Sequence, residues 1–421
     1  MQISKEEILD RAMKYVEAEK NNKFRSEVEQ AIKNNRADDL YDRFYTALAF
    51  GTAGMRGVIG GGTNRINSFM VRKVSQGLAT YLVQNVENPS IAIAFDSRNY
   101  SIEFAKDAAL VLAANKVKVY LYDSLRPVPV LSFALRELKA SAGIVITASH
   151  NPSKYNGYKV YWADGGQVTP PHDTGIAKLA NEVEISDIKD IDEELAIKTG
   201  YLNSIPSSVD EAYYNMVLAS VRRKEVQNAP ITVAYTPLHG SGNVPVRHML
   251  SKLGIKTVVV KEQELPDGNF PTVKLPNPES SQAMEMVIEL AKKEKADIVL
   301  GTDPDADRLG IAIPTNSKKD DYLLLTGNQI AILLVDYLLE TKKEFKTKGI
   351  PFVVKSLVTT DLVRKICETY GGECKDVLTG FKYIAEQIKA LEGNKDKYFI
   401  FGCEESYGFL TVPFVRDKDA V

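Results

Sequence analysis

At 421 residues, with 44% apolar and 26% charged residues, the chain suits about two to four globular domains and excludes disorder on composition. A formal net charge of −2 excludes a counterion-releasing nucleic-acid surface. The apolar run IAILLVDYLL carries Asp336 and falls short of the roughly 20 residues that cross a bilayer, so no membrane span is expected.

The chain opens on MQISKEEILDRAMKYVEAEK, which lacks an apolar signal core; Ser4 and Glu7 instead suit a capping box at the start of an amphipathic helix. Cys367, Cys374 and Cys403 are an odd count without CxxC spacing, the usage of a reducing compartment. A cytoplasmic protein is expected. Further on, FGTAGMRGVIGGGTNRIN sets glycines around Arg56 and Arg65, either a set of amides open to an anion or a flexible turn.

Strands then alternate with helical windows such as SIEFAKDAALVLAANK, the pattern of parallel α/β sheets. Three runs begin alike, IAIAFDSR from residue 91, ITVAYTPLHGSG from 231 and PFVVKSLVTTD from 351. A second strand follows each (VKVYLYD, IKTVVVKE, GECKDVLTG), then a third (GIVITASHNP, ADIVLGTDPDADR, YFIFGCEESYGF). The expected fold is therefore three similar α/β domains with mixed, mainly parallel sheets, over residues 1–205, 206–318 and 319–421. Ligands of such sheets bind beyond the carboxyl ends of the strands, so the active site is expected in the cleft between the domains, at the tips of the third strands.

The first tip, TASHNPS, puts Ser149 and His150 before an Asn-Pro turn, and NGYKVYWADGG returns as a hairpin arm. Tyr158, Val160 and Trp162 share one face of that arm, Lys159 and Tyr161 the other. A serine needs a base or cation to become a nucleophile, and a desolvated lysine loses its proton readily enough to help. Taken singly, Ser149 reads equally as a turn cap and Lys159 as a solvated charge. The second tip places Asp303, Asp305 and Asp307 at alternate positions, carboxylates that repel unless a hard cation sits among them. Arg308 and Pro314 occupy positions where an EF-hand needs glycine and glutamate. Magnesium favours phosphate oxygens, so a phosphorylated Ser149 suits a fourth ligand, with Arg308 on the phosphate. The third tip offers Glu404, Glu405 and Ser406, suited to vicinal sugar hydroxyls, and LTGFKYI brings Thr379, Gly380 and Lys382 to a neighbouring tip.

With TASHNP, DPDADR, TGFK and EES in this order, the chain resembles the α-D-phosphohexomutase family of phosphoglucomutases and phosphomannomutases along nearly its whole length. The resemblance implies an intramolecular phosphotransferase that interconverts hexose 1-phosphate and hexose 6-phosphate, glucose phosphates first and mannose phosphates second. It implies phosphoserine at Ser149 and one Mg²⁺ held by Ser149, Asp303, Asp305 and Asp307. Lys159 and Arg56 are implied as acid/base groups, with His150 and Arg308 beside the transferring phosphoryl group. Glu404 and Ser406 would read sugar hydroxyls, Thr379, Gly380 and Lys382 would form a specificity loop, and a hexose 1,6-bisphosphate would act as activator.

Members of the family carry a fourth, C-terminal phosphate-gripping domain, which is missing here. The chain stops at FVRDKDAV, where Asp417 or Asp419 resembles the N-cap of a helix barely begun. A chain cut short, with impaired turnover, is the expectation. A phosphopentomutase, a glucose 1,6-bisphosphate synthase and a non-catalytic phosphosugar-binding protein stay open as alternatives, while a phosphatase with an aspartate nucleophile lacks its DxDxT motif. Oligomeric state is left open.

Overall fold

The computed structural model of the chain describes residues 3–51, 54–341 and 349–421. It contains a six-, a five- and a four-stranded sheet, and one arrangement underlies all three. In each, the first strand of the repeat is central. Ser90–Phe95 lies between Lys118–Leu121 and Ala142–Ile146, Thr232–Thr236 between Lys256–Val259 and Ile298–Thr302, and Ile350–Ser356 between Glu373–Val377 and Lys397–Glu404. These pairings are parallel. Their apolar runs are covered by helices on both faces, which is why they read as continuous rather than alternating hydrophobic stretches.

The third strand of each domain then reverses into an antiparallel partner: Tyr155–Trp162, Leu309–Pro314 and Gly408–Leu410. That reversal compresses TASHNP, DPDADR and ESY into tight loops at the strand tips. In the first sheet Lys159 and Tyr161 lie opposite Val145 and Gly143, while Tyr158 and Val160 join the core on the other face, as the alternation predicts.

The domain limits differ in detail from the expectation. The strand Tyr322–Leu324 pairs with Leu309–Pro314 and so belongs to the second sheet, past residue 318. The helix Ser207–Ala219 buries Val209 and Tyr213 in a core shared with Phe133 of the first domain and Phe381 and Ile384 of the third. At about 1.5–3 kcal/mol per large apolar side chain, this junction resembles a core more than a hinge.

Two local expectations are corrected. The glycines at 60–62 do not cradle an anion; they admit the N-terminal helices Lys5–Ala18, Asn22–Lys33 and Ala37–Phe44, the first capped at Ser4 by Glu7 N–H at 3.2 Å. A Cβ on Gly61 would lie 2.3 Å from Phe24 O, and Arg65 pairs with Asp42. Thr52 and Ala53 of the same motif lie outside the described residues. Nor do residues 411–421 begin a helix. Asp417 accepts from Tyr161 Oη at 2.7 Å and Gln167 Nε2 at 2.9 Å, so its carboxylate ties the third domain to the first. Asp419 accepts from Val421 N–H, as a cap would, and also from Tyr213 Oη, each at 2.9 Å. Among the described residues no helix is long and apolar enough to cross a membrane.

Candidate active site

Ala142–Ile146 is buried along its length, and its exit turns as soon as the apolar run ends. The Thr147 hydroxyl donates to Asp96 Oδ2 at 2.6 Å and accepts from Ser149 N–H at 2.8 Å. These bonds hold Ser149 at φ 52°, a left-handed conformation that costs a residue with a Cβ roughly 1–3 kcal/mol and persists only where the surroundings impose it. From there Ser149 Oγ donates to Asp303 Oδ2 at 2.9 Å and lies 3.1 Å from His150 Nδ1.

The second tip folds around its own first aspartate. Asp303 Oδ1 accepts the N–H groups of Asp307 and Arg308 at 3.1 and 3.0 Å, with Ala306 turned to φ 48°. Neighbouring domains clamp the loop through backbone bonds, Val128 N–H to Asp305 O at 3.0 Å and Ala420 N–H to Ala306 O at 3.2 Å. Ligand atoms of Asp303, Asp305 and Asp307 consequently lie within 4.8 Å of one another, all buried.

Cations meet only one oxygen of each outer carboxylate. Lys159 Nζ is 3.0 Å from Asp305 Oδ2 and 3.6 Å from Asp307 Oδ2, and Lys418 Nζ is 3.1 Å from Asp307 Oδ2. Asp305 Oδ1 and Asp307 Oδ1 are buried without a hydrogen-bond partner. Two orphaned anionic oxygens beside a third carboxylate and a serine hydroxyl are a donor set that fits a hard divalent cation.

Burial, with Asp305 and Asp307 alongside, pushes the Asp303 carboxyl well above its usual range. Burial works the same way on Asp305, but Lys159 and the hydrogen bond with Asp303 outweigh it and hold Asp305 low. For Lys159 desolvation alone would favour the neutral amine; Asp305 and Asp307 win, and its proton is held more tightly than usual. This reverses the expectation that burial frees the lysine's proton. His150 is lowered to about 3, first by burial and then by Arg308, so it is neutral near pH 7.

The remaining expected residues divide. Arg308 lies beside the loop and pairs with Glu279. Arg56 is exposed at the rim, its Nη1 donating to Asn151 Oδ1 at 3.4 Å. Glu404 Oε1 accepts from Gly380 N–H at 2.8 Å, which joins the EES tip to the TGFK loop, where Thr379 is exposed and Gly380 adopts φ 122°. Ser406 is half-buried. Lys382 stands 3.9 Å from Asp173 Oδ2 of the first domain, an interdomain contact rather than a free cation in the cleft. Glu405 turns to Ser356 Oγ at 2.8 Å and Thr359 Oγ1 at 3.3 Å and so supports the loop.

Sequence reasoning missed Asp96, Arg98 and Lys418. The first two end a first-strand run, IAIAFDSR, so applying the strand-tip rule to every strand would have flagged them. Lys418 sits in a short polar segment with no periodic signal.

Chains built this way, with three parallel-cored domains meeting at their strand tips, form a class of multidomain α/β proteins. Family models of the phosphoglucomutase/phosphomannomutase α/β/α domains I, II and III match residues 47–186, 211–316 and 326–421. A phosphoglucomutase of Staphylococcus aureus (strain bovine RF122 / ET3-1) is 40% identical over 384 residues, 90% of this chain and 67% of that protein. One from Staphylococcus epidermidis (strain ATCC 12228 / FDA PCI 1200) is 40% identical over 401 residues, 94% of this chain and 71% of that protein. The chain belongs to the phosphoglucomutase/phosphomannomutase family. Among solved structures, a family protein from Burkholderia thailandensis superposes with a TM-score of 0.70 at 20% identity, over 89% of this chain and 74% of that one. The open form of a Paramecium phosphoglucomutase does so at 0.69 and 18%, over 89% and 69%, which supports the fold.

Proposed function

We propose that the chain interconverts hexose 1-phosphate and hexose 6-phosphate, glucose phosphates foremost and mannose phosphates second, through phosphoserine at Ser149 and a bound hexose 1,6-bisphosphate. The observation that carries this reading is the Ser149 hydroxyl held in a buried, strained turn 2.9 Å from an acidic triad whose outer members keep unpartnered oxygens. In the first transfer a free sugar hydroxyl forms a bond to phosphorus as the bond from Ser149 Oγ breaks. The hydroxyl's proton leaves to a base and Ser149 Oγ regains one. Lys159, proton-bearing at the same cluster, suits the donor. In the return step Ser149 Oγ loses its proton and takes the other phosphoryl group, so no phosphate is consumed.

The other residues orient the sugar and offset charge, the main demands of loose phosphoryl-transfer transition states. Arg56 stands at the rim as the second acid/base group. Arg308 and the neutral His150 flank the phosphoryl group without adding an acid, and Glu404, Ser406 and the loop at Thr379, Gly380 and Lys382 face the sugar. Asp303, Asp305, Asp307 and a Ser149 oxygen would hold one Mg²⁺, which when bound supplies neutralisation of the phosphoryl charge. The three free thiols favour a cytoplasmic setting.

The test is incubation with Mg²⁺ and glucose 1,6-bisphosphate, followed by intact mass, peptide mapping and a coupled glucose 1-phosphate assay, with Ser149→Ala as control. Phosphate on Ser149 and turnover lost in the variant are expected. Full activity in Ser149→Ala would overturn the assignment. Faster turnover of ribose 1-phosphate would favour a phosphopentomutase, net release of bisphosphate a synthase, and binding without phosphorylation a non-catalytic protein.

A further inference from the structure

We propose that Arg98 is the positioning residue of the Ser149 loop, a buried guanidinium that sets the direction of the serine hydroxyl for phosphoryl transfer. The inference rests on the reading of Ser149 as the phosphoryl carrier.

The Arg98 side chain is fully buried. Its Nη1 donates to Pro152 O and Tyr155 O, each at 3.0 Å, and its Nη2 to Ser149 O and to Asn151 O, the latter at 2.5 Å. One rigid fork therefore gathers the carbonyls of the whole nucleophile turn, a task that suits a planar guanidinium and not a point-charge ammonium. Asp96 Oδ2 stands 3.4 Å from Arg98 Nε, and the guanidinium lies 5.0 Å from the ring centre of Phe270 in the second domain.

Asp96 also controls the other side of Ser149. Its Oδ2 accepts from Thr147 Oγ1, which accepts the Ser149 N–H, while its Oδ1 accepts from Arg98 N–H and Ser101 Oγ, each at 2.9 Å. The amide of Ser149 is thus held through Asp96 and its carbonyl through Arg98. With both peptide groups fixed, the left-handed φ is imposed and only the side-chain torsion is left to aim Oγ.

The repeat supports the same conclusion from elsewhere in the molecule. In the second domain the first-strand exit also supports the third-strand tip, Ser241 N–H and Oγ both donating to Pro304 O at 2.8 Å. In the third, Ser356 and Thr359 hold Glu405. Each first-strand exit is a brace for the functional loop beside it.

Arg98→Lys keeps the charge but not the fork, and Ser101→Ala loosens Asp96 more gently. For folded Arg98→Lys, the rate of Ser149 phosphorylation by glucose 1,6-bisphosphate and kcat should fall by roughly 10²-fold, the scale of a small misplacement of a reacting group. KM for glucose 1-phosphate should change less than about threefold, a split that general destabilisation would not produce. Ser101→Ala should lose about tenfold in the same rate. Phosphorylation by folded Arg98→Lys within about twofold of the unmodified protein would overturn the proposal, and if that variant does not fold, an unchanged rate in Ser101→Ala would do so. Should the unmodified protein take no phosphate on Ser149, the carrier reading falls, and this one with it.

Discussion

Lys418 Nζ lies 3.1 Å from Asp307 Oδ2, so the end of the third domain reaches into the acidic loop of the second. Its stem crosses Gly408, where an added Cβ would meet Lys418 Cδ at 2.1 Å. Only glycine lets the lysine through. Together Lys159, Lys418 and Arg308 surround the three aspartates, which makes the cluster tolerable inside the protein while two carboxylate oxygens stay open.

Lys418→Met removes a cation from the rim of that cluster. A divalent ion should then bind roughly tenfold tighter, a modest part of the about 4 kcal/mol that two unit charges 4 Å apart exchange at an effective dielectric of about 20. Calorimetric titration with Mn²⁺ measures it; equal or weaker binding would contradict the charge argument.

Asp303→Asn should raise the stability of the metal-free protein and abolish metal binding. Asparagine keeps an acceptor for the Asp307 and Arg308 amides and removes a repelled charge. The folded pKa of Asp303 is raised, so between the unfolded value near 3.8 and the folded one the native state holds the extra proton. Its contribution is present below the unfolded pKa and is lost as pH rises through the folded pKa. Thermal melts in chelator across pH should show a shallower decline for the variant than for the parent, and parallel curves would refute this.

His150 should stay neutral across the physiological range. With a folded pKa of about 3, its imidazole resonances in a ¹³C-labelled sample should not move between about pH 8 and 5. Its stability contribution runs opposite to that of Asp303: the unfolded chain takes up a proton below about 6.5, so stability falls as pH drops from there towards 3. A titration midpoint near 6 would contradict the burial described for it.

Asp417→Ala should destabilise the chain by about 1–3 kcal/mol, because Tyr161 Oη and Gln167 Nε2 lose a shared acceptor at an interdomain junction. Urea unfolding gives the magnitude. Combination with Tyr161→Phe should be less than additive if the two groups act as one bond, and strict additivity would count against the clamp.

Much of this was legible before any coordinates. The order of first, second and third strands could be read because buried parallel strands leave continuous apolar runs, and the Asp303, Asp305, Asp307 spacing announces a cation site because like charges do not otherwise gather. TASHNP marked the serine turn for the same reason, an apolar run ending abruptly in Asn-Pro. The Gly60–Gly62 run misled, because close approach of a helix and close approach of an anion ask the same thing of glycine.

By itself the sequence determined the three-domain plan, the strand tips that carry chemistry and the family. Only the tertiary structure decided which partner each charge finds. Lys159 keeps its proton because two carboxylates from another domain face it, Lys382 turns to Asp173, and Arg98 gathers a turn some 50 residues away. Local pattern follows the chain, but electrostatic and hydrogen-bond energies depend on distance through space, which is set once the domains have packed.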